Sequence, residues 1–206
     1  MLIKKWSTKL AEKICYAAGE TDEYRIDVVR YVFESLLSMI LSVSFIVVTA
    51  WLFGVLRTAM MVSLAGALVK SFTGGLHSST PLRCAVVGSL LTVGLSFLVI
   101  RFPISNLPLS LVMLILLFEN LIVWLKAPLE STNKPLTEKQ KYYLAFLSKI
   151  VVGIFSLICI LWPEKWGVNE LFYGMSFQLI TLLSATARFM DRLDWFLGLI
   201  ERKPIF

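Results

Sequence analysis

Six apolar runs punctuate the chain, at roughly 36–56, 58–69, 84–100, 109–125, 144–162 and 168–187, separated by Arg57, the segment 70–83, the stretch 101–108, a long basic loop and the stretch 163–167. Most approach the roughly 20 residues that a helix needs to cross a bilayer, and 58–69 is too short to be assigned by length. Ahead of them, Ile3, Trp6, Leu10, Ile14 and Ala17 recur at helical spacing, with Lys4, Lys5, Lys9, Glu12 and Lys13 largely on the other side. That pattern predicts an amphipathic helix lying on a membrane surface. Gly19 breaks it, and Thr21 is placed to cap a second helix that carries Asp22 and Glu23 in its first turn. The fold expected is all-α: a polytopic membrane helical bundle of about six transmembrane segments with an N-terminal amphipathic interfacial helix.

Composition agrees. Of the 206 residues, 57% are hydrophobic, against roughly 45–50% in soluble domains. Mean hydropathy is +0.77 and only 17% of residues are charged, so a water-soluble globule is excluded. No Pro/Gly/Ser-rich linker divides the chain, which reads as one membrane-embedded domain over 1–206: N-terminal helices at 1–33, a transmembrane bundle at 34–187 and a tail at 188–206. The opening residues lack a continuous apolar stretch after their lysines, so no cleavable signal peptide is expected.

The net charge of +6 would suggest nucleic acid in a soluble protein, but here the bases lie between apolar runs and read as membrane topology, with no nucleic-acid site. They concentrate before residue 31, in the 126–149 loop and after residue 187. If all three regions face the cytoplasm, an even number of crossings separates the first two, which requires 58–69 to cross. Six crossings of the membrane follow, with both termini and the 70–83 connection inside. In a four-crossing alternative 58–69 is re-entrant, and parity then requires another early segment to fail as well.

Cys15, Cys84 and Cys159 are widely spaced and odd in number, and His77 is the only histidine. A disulfide framework, a CxxC site and a His-rich zinc centre are therefore not available. No metal or cofactor is expected. His77 and Cys84 lie seven residues apart, which on a continuous helix is about 10.5 Å along the axis, too far for proton transfer. The intervening sequence breaks the helix: Gly74 and Gly75 permit unusual backbone angles, and Ser78-Ser79-Thr80-Pro81 is turn and helix-start chemistry, with Thr80 as N-cap and Pro81 in the first helical position. Cys84 then falls at the start of the third segment, where the helix dipole and Arg83 favour a thiolate. Free backbone N–H groups at that helix start can also stabilise an oxyanion. The same two residues also admit a bland reading, as a packed membrane cysteine and a loop histidine.

The run Gly74-Gly75-Leu76-His77 followed by Cys84, with a basic residue at Lys70, resembles the signature of the accessory gene regulator B (AgrB) family. The resemblance covers the whole chain, including the N-terminal helix, the six apolar segments and Ala127-Pro128 at the start of a basic loop. It implies a membrane cysteine endopeptidase of bacterial quorum sensing that cuts an AgrD-like pro-peptide and leads to a cyclic autoinducing peptide, and it implies a homodimer. By position His77 and Cys84 match the catalytic pair and Gly75 the second glycine. Gly74, Arg83 and Lys70 are candidates for shaping the site. Lys70 stands where Arg is commoner and Ser78 where Ala is commoner, changes that keep charge and size.

The family's pro-peptide has an acidic tail, which gives Lys126, Lys134, Lys139 and Lys141 a role in holding it, beside their role in topology. Glu119 interrupts an apolar helix, and an intramembrane carboxylate is a functional candidate; a third catalytic residue that orients His77 is one reading, a buried interhelical hydrogen bond the other. Gln178 reads as a bridge between helices, Gly88, Gly94, Gly153 and Gly174 as helix contacts, and Cys15 and Cys159 as small hydrophobes. The competing function is a non-enzymatic membrane transporter or scaffold for a small peptide. No internal repeat supports it. Zinc and aspartyl peptidases are disfavoured by the lack of HExxH and of paired intramembrane Asp residues.

Overall fold

The computed structural model describes residues 2–75, 80–130 and 136–202. Its elements run α1 (Leu2–Ala17), α2 (Glu23–Leu52), α3 (Leu56–Thr73), α4 (Pro81–Arg101), a 3₁₀ turn (Ile104–Asn106), α5 (Leu109–Lys126), α6 (Glu138–Leu161), α7 (Val168–Ile180) and α8 (Ser184–Arg202). Apart from one isolated bridge between Gly74 and Leu129, the described secondary structure is helical.

Helices α2, α4 and α6 start where the sequence supplies caps. Thr80 accepts the Arg83 N–H at 3.3 Å, with Pro81 in the first turn. Thr137 and Gln140 form a reciprocal capping box at the start of α6. Gly19, at φ +74°, follows the end of α1. The start of α2 differs by one residue from expectation: Asp22, not Thr21, is the cap, because its carboxylate accepts the Tyr24 N–H at 3.1 Å.

Each of the six apolar runs forms a helix, but only α2, α4, α5 and α6 are long and apolar enough to cross a membrane by length and composition. Helix α3 has 18 residues and carries both Arg57 and Lys70, and α7 has only 13. The last run is not continuous to 187, since the chain turns after Ile180 and α8 starts at Ser184. The region expected as a tail from 188 is thus largely helical.

The face by which α1 is buried is formed by Ser7, Ala11 and Cys15, four residues apart, while Trp6, Leu10 and Ile14 remain exposed. Small residues let α1 approach α2, and its large apolar side chains are left for another surface. The main core gathers residues of α3, α5, α6 and α7, among them Val69, Leu116, Val152, Met175 and Leu179. Helices α3 and α7 meet backbone to backbone: a Cβ on Gly174 would lie 2.5 Å from the Val62 carbonyl oxygen and 3.1 Å from the Gly66 nitrogen. Gly174 is a helix contact as expected. Gly88, Gly94 and Gly153 are not, because a Cβ at any of them would meet only open space.

Candidate active site

The site is built around the end of α3. Gly74 stops the helix at φ +68°, its N–H still donating to the Lys70 carbonyl at 3.0 Å, and Thr73 turns its hydroxyl back to the Val69 carbonyl. The chain leaves through Gly75 at φ +156°. A side chain at Gly74 would run into the Leu129 carbonyl, so the second strand of chain, entering through the cis Ala127-Pro128 bond, lies directly on it. Leu129 donates its N–H to Thr73 O at 2.8 Å, completing the parallel bridge.

From the other side Gln178 of α7, buried among apolar neighbours, donates its amide to the Gly74 carbonyl at 2.8 Å. The sequence marks Gln178 only as a polar interruption of an apolar run; which backbone group it meets, 104 residues away, is set by how α7 packs on α3. It bridges elements as expected, but to a loop carbonyl rather than to a helix.

Cys84 occupies the first turn of α4 and is half-buried. Its N–H donates to the Thr80 carbonyl at 3.1 Å, and the Arg83 N–H is taken by the Thr80 side chain. Pro81 has no N–H, so among the described residues Leu82 is the helix-start donor left for an oxyanion, fewer than the sequence alone suggests. Lys70 lies past the apolar run of α3 and outside the four long helices; its Cε is 3.5 Å from where a Cβ on Gly75 would stand. Lys70 is half-buried, and its ammonium and the Cys84 thiol are electrostatic neighbours. The thiol thus lies within electrostatic reach of a cation and at the positive end of a helix, the surroundings that make a cysteine nucleophilic. His77 lies outside the described residues, two positions after Gly75 and three before Thr80.

A cleft of about 230 Å³ opens beside this turn, with Lys70, Gly74 and Gly75 on one wall, Pro128 and Leu129 on another, and Tyr31 of α2 across it. The basic loop is only partly available to a ligand. Lys126 and Lys139 are exposed, Lys141 is held by Glu130 at 3.0 Å and Glu138 at 2.9 Å, and Lys134 lies outside the described residues. Glu119 is 3% exposed in α5, facing Ser176 of α7 and Cys159 of α6, and neither its Oε2 nor Ser176 Oγ has a hydrogen-bond partner among the described residues. The neighbouring Asn120 makes the interhelical bond instead, to Ser156 Oγ at 2.9 Å. Among the described residues no group of three His, Cys, Asp or Glu side chains is placed to hold a metal.

An all-helical membrane protein with a thiol at a helix start beside a glycine turn is the class that fold and site define. The sequence profile of accessory gene regulator B matches residues 3–182, and the chain belongs to that family. It is similar to AgrB-like protein 2 of Clostridium perfringens (strain 13 / Type A), 22% identical over 196 residues that cover 88% of this chain and 91% of the relative. An AgrB-like protein of C. perfringens (strain SM101 / Type A) is 24% identical over the same shares of each chain. No solved structure matches. Family membership supports involvement in quorum-sensing peptide processing and implies an AgrD-like peptide precursor as partner.

Proposed function

We propose that the protein is a membrane cysteine endopeptidase that removes the C-terminal tail of an AgrD-like pro-peptide through a thioester and so leads to a cyclic autoinducing peptide. The observation that carries this reading is the half-buried Cys84 thiol in the first turn of α4, within electrostatic reach of Lys70 and next to the glycine turn that leads to His77. Cys84 Sγ attacks the scissile carbonyl carbon while its proton passes to His77. The tetrahedral intermediate collapses, the C–N bond breaks, and His77 returns the proton to the departing amine of the tail. The acyl group is now a thioester on Cys84. A Cys thiol or Ser hydroxyl within the peptide attacks that carbonyl, the C–S bond breaks, and the ring closes as a thiolactone or lactone with Cys84 regenerated. A cleft at the membrane interface that limits water favours ring closure over hydrolysis. This chemistry needs no metal or cofactor.

The reading places the protein in the bacterial cell membrane as a multi-pass homodimer among lipids, with both termini and the Gly74–Cys84 loop on the cytoplasmic side. Lys126, Lys134 and Lys139 hold the acidic tail, and Lys141, already paired with two carboxylates, contributes less. Glu119 packs α5 against α6 and α7 rather than completing a triad.

The test needs no substrate. Protein reconstituted in nanodiscs is treated with iodoacetamide at neutral pH, and alkylation of Cys15, Cys84 and Cys159 is followed by mass spectrometry with and without His77→Ala. Cys84 reacts fastest and slows when His77 is removed. If Cys84 is as inert as the two buried cysteines, the peptidase reading falls and the transporter or scaffold takes its place.

A further inference from the structure

We infer that Gln178 is a positioning residue for this reaction: from α7 it fixes the peptide plane between Gly74 and Gly75, and through it the direction in which the chain enters the His77 segment. The inference rests on the peptidase reading of Cys84 and His77. Three observations lead to it. The Gln178 side chain is 5% exposed, and its amide donates across 104 residues to the Gly74 carbonyl at 2.8 Å. A Cβ on Gly75 would lie 2.8 Å from Gln178 Nε2 and 3.4 Å from Thr181 Oγ1, so the absence of a side chain at Gly75 is what lets the amide close on the turn. Helix α7 itself cannot drift, because Gly174, one turn earlier, is in backbone contact with Val62 and Gly66 of α3.

The consequence is geometric. A peptide unit is planar and trans, so anchoring the Gly74 carbonyl on Gln178 points the Gly75 N–H the opposite way and fixes the plane from which the chain enters Gly75. Two glycines in succession otherwise leave that plane free to rotate. The only other described donor near the Gly74 carbonyl is the Thr73 hydroxyl at 3.1 Å, and that hydroxyl is shared with Val69 O at 3.0 Å. A base that follows two successive glycines needs such an anchor, since small misplacements of a catalytic group are expensive in rate.

The experiment compares Gln178→Met, which keeps the length and apolar packing but has no donor, with Gln178→Asn, whose amide is one methylene too short, and with Asn120→Leu as a control that removes a different buried interhelical bond. Each full-length variant is reconstituted in nanodiscs with an AgrD-like precursor peptide, and kcat, KM, iodoacetamide reactivity at Cys84 and the thermal midpoint are measured. Both Gln178 variants lower kcat by roughly 10- to 100-fold with KM unchanged, and slow Cys84 alkylation as His77→Ala does. Asn120→Leu lowers the midpoint and leaves kcat and KM as in the wild type. The inference is overturned if kcat in the Gln178 variants stays within about twofold of wild type, or if its loss merely tracks a lowered midpoint or failed insertion, since Gln178 would then be structural. Cys84→Ala separates the two layers: cleavage that survives it removes the peptidase reading itself, whereas cleavage that depends on Cys84 but not on Gln178 removes only this inference.

Discussion

Cys84 owes its surroundings to one threonine. Thr80 holds the Arg83 N–H with its side chain and the Cys84 N–H with its carbonyl, so the turn that carries the nucleophile is fixed from its first residue. Replacing Thr80 by Ala removes a cap worth about 1 kcal/mol, and frays the turn where Cys84 sits. The expected result is several-fold slower Cys84 alkylation in Thr80→Ala and near wild-type reactivity in Thr80→Ser, measured by mass spectrometry under identical conditions. Glu119 makes the opposite case. A negative charge in the core is costlier to bury than a neutral amide of the same shape. Glu119→Gln therefore keeps cleavage and keeps or raises the thermal midpoint, whereas Glu119→Ala lowers the midpoint by leaving a cavity. Lost cleavage in Glu119→Gln at an unchanged midpoint would return this residue to a catalytic role.

Among the elements, α7 does more than its 13 residues suggest. It presents Gly174 to α3, Gln178 to the glycine turn, and Asn169 and Tyr173 to the backbone of Ile104 and Phe102. Gly174→Ala puts a methyl group 2.5 Å from the Val62 carbonyl, and overpacking of this kind costs about 1–3 kcal/mol. The variant should unfold at lower temperature in detergent and lose cleavage as the Gln178 amide is pushed back. Gly88→Ala on α4, facing open space, removes only a helix-weakening glycine and should be neutral or slightly stabilising. The two glycines look alike in sequence, and this contrast shows what the sequence could and could not convey. Caps at Thr80, the break at Gly74 and the helical nature of each apolar run are local chemistry and were legible. The role of Gly66, the Leu129 N–H on Thr73 and the target of Gln178 depend on how distant helices pack, and no local pattern encodes them. The break of the last apolar run after Ile180 has the same origin, since a run's apolarity says little about where its helix must stop against a neighbour.

At the scale of the whole molecule the charge pattern and the helix lengths pull in different directions. If only α2, α4, α5 and α6 cross, three crossings separate the N-terminal helices from the loop after α5, and Lys126, Lys139 and Lys149 lie on the opposite side of the membrane from Lys4, Lys5, Lys9 and Lys13. The bias of bases toward one face argues against that arrangement. Helix α3, at 18 residues, is about 27 Å long, close to the ~30 Å hydrocarbon thickness. Helix α7 is about 20 Å long, so its crossing requires local thinning of the bilayer or support from its neighbours. Cysteines placed singly at Lys9, Asn106, Lys139 and Lys165 in a cysteine-free background decide the matter through labelling of intact cells with a membrane-impermeant maleimide. Six crossings predict labelling at Asn106 and Lys165 and protection at Lys9 and Lys139. Labelling at Lys139 with protection at Asn106 would mean that α3 does not cross, and the glycine turn would then face away from a cytoplasmic precursor, leaving the proposed cleavage without access to its substrate.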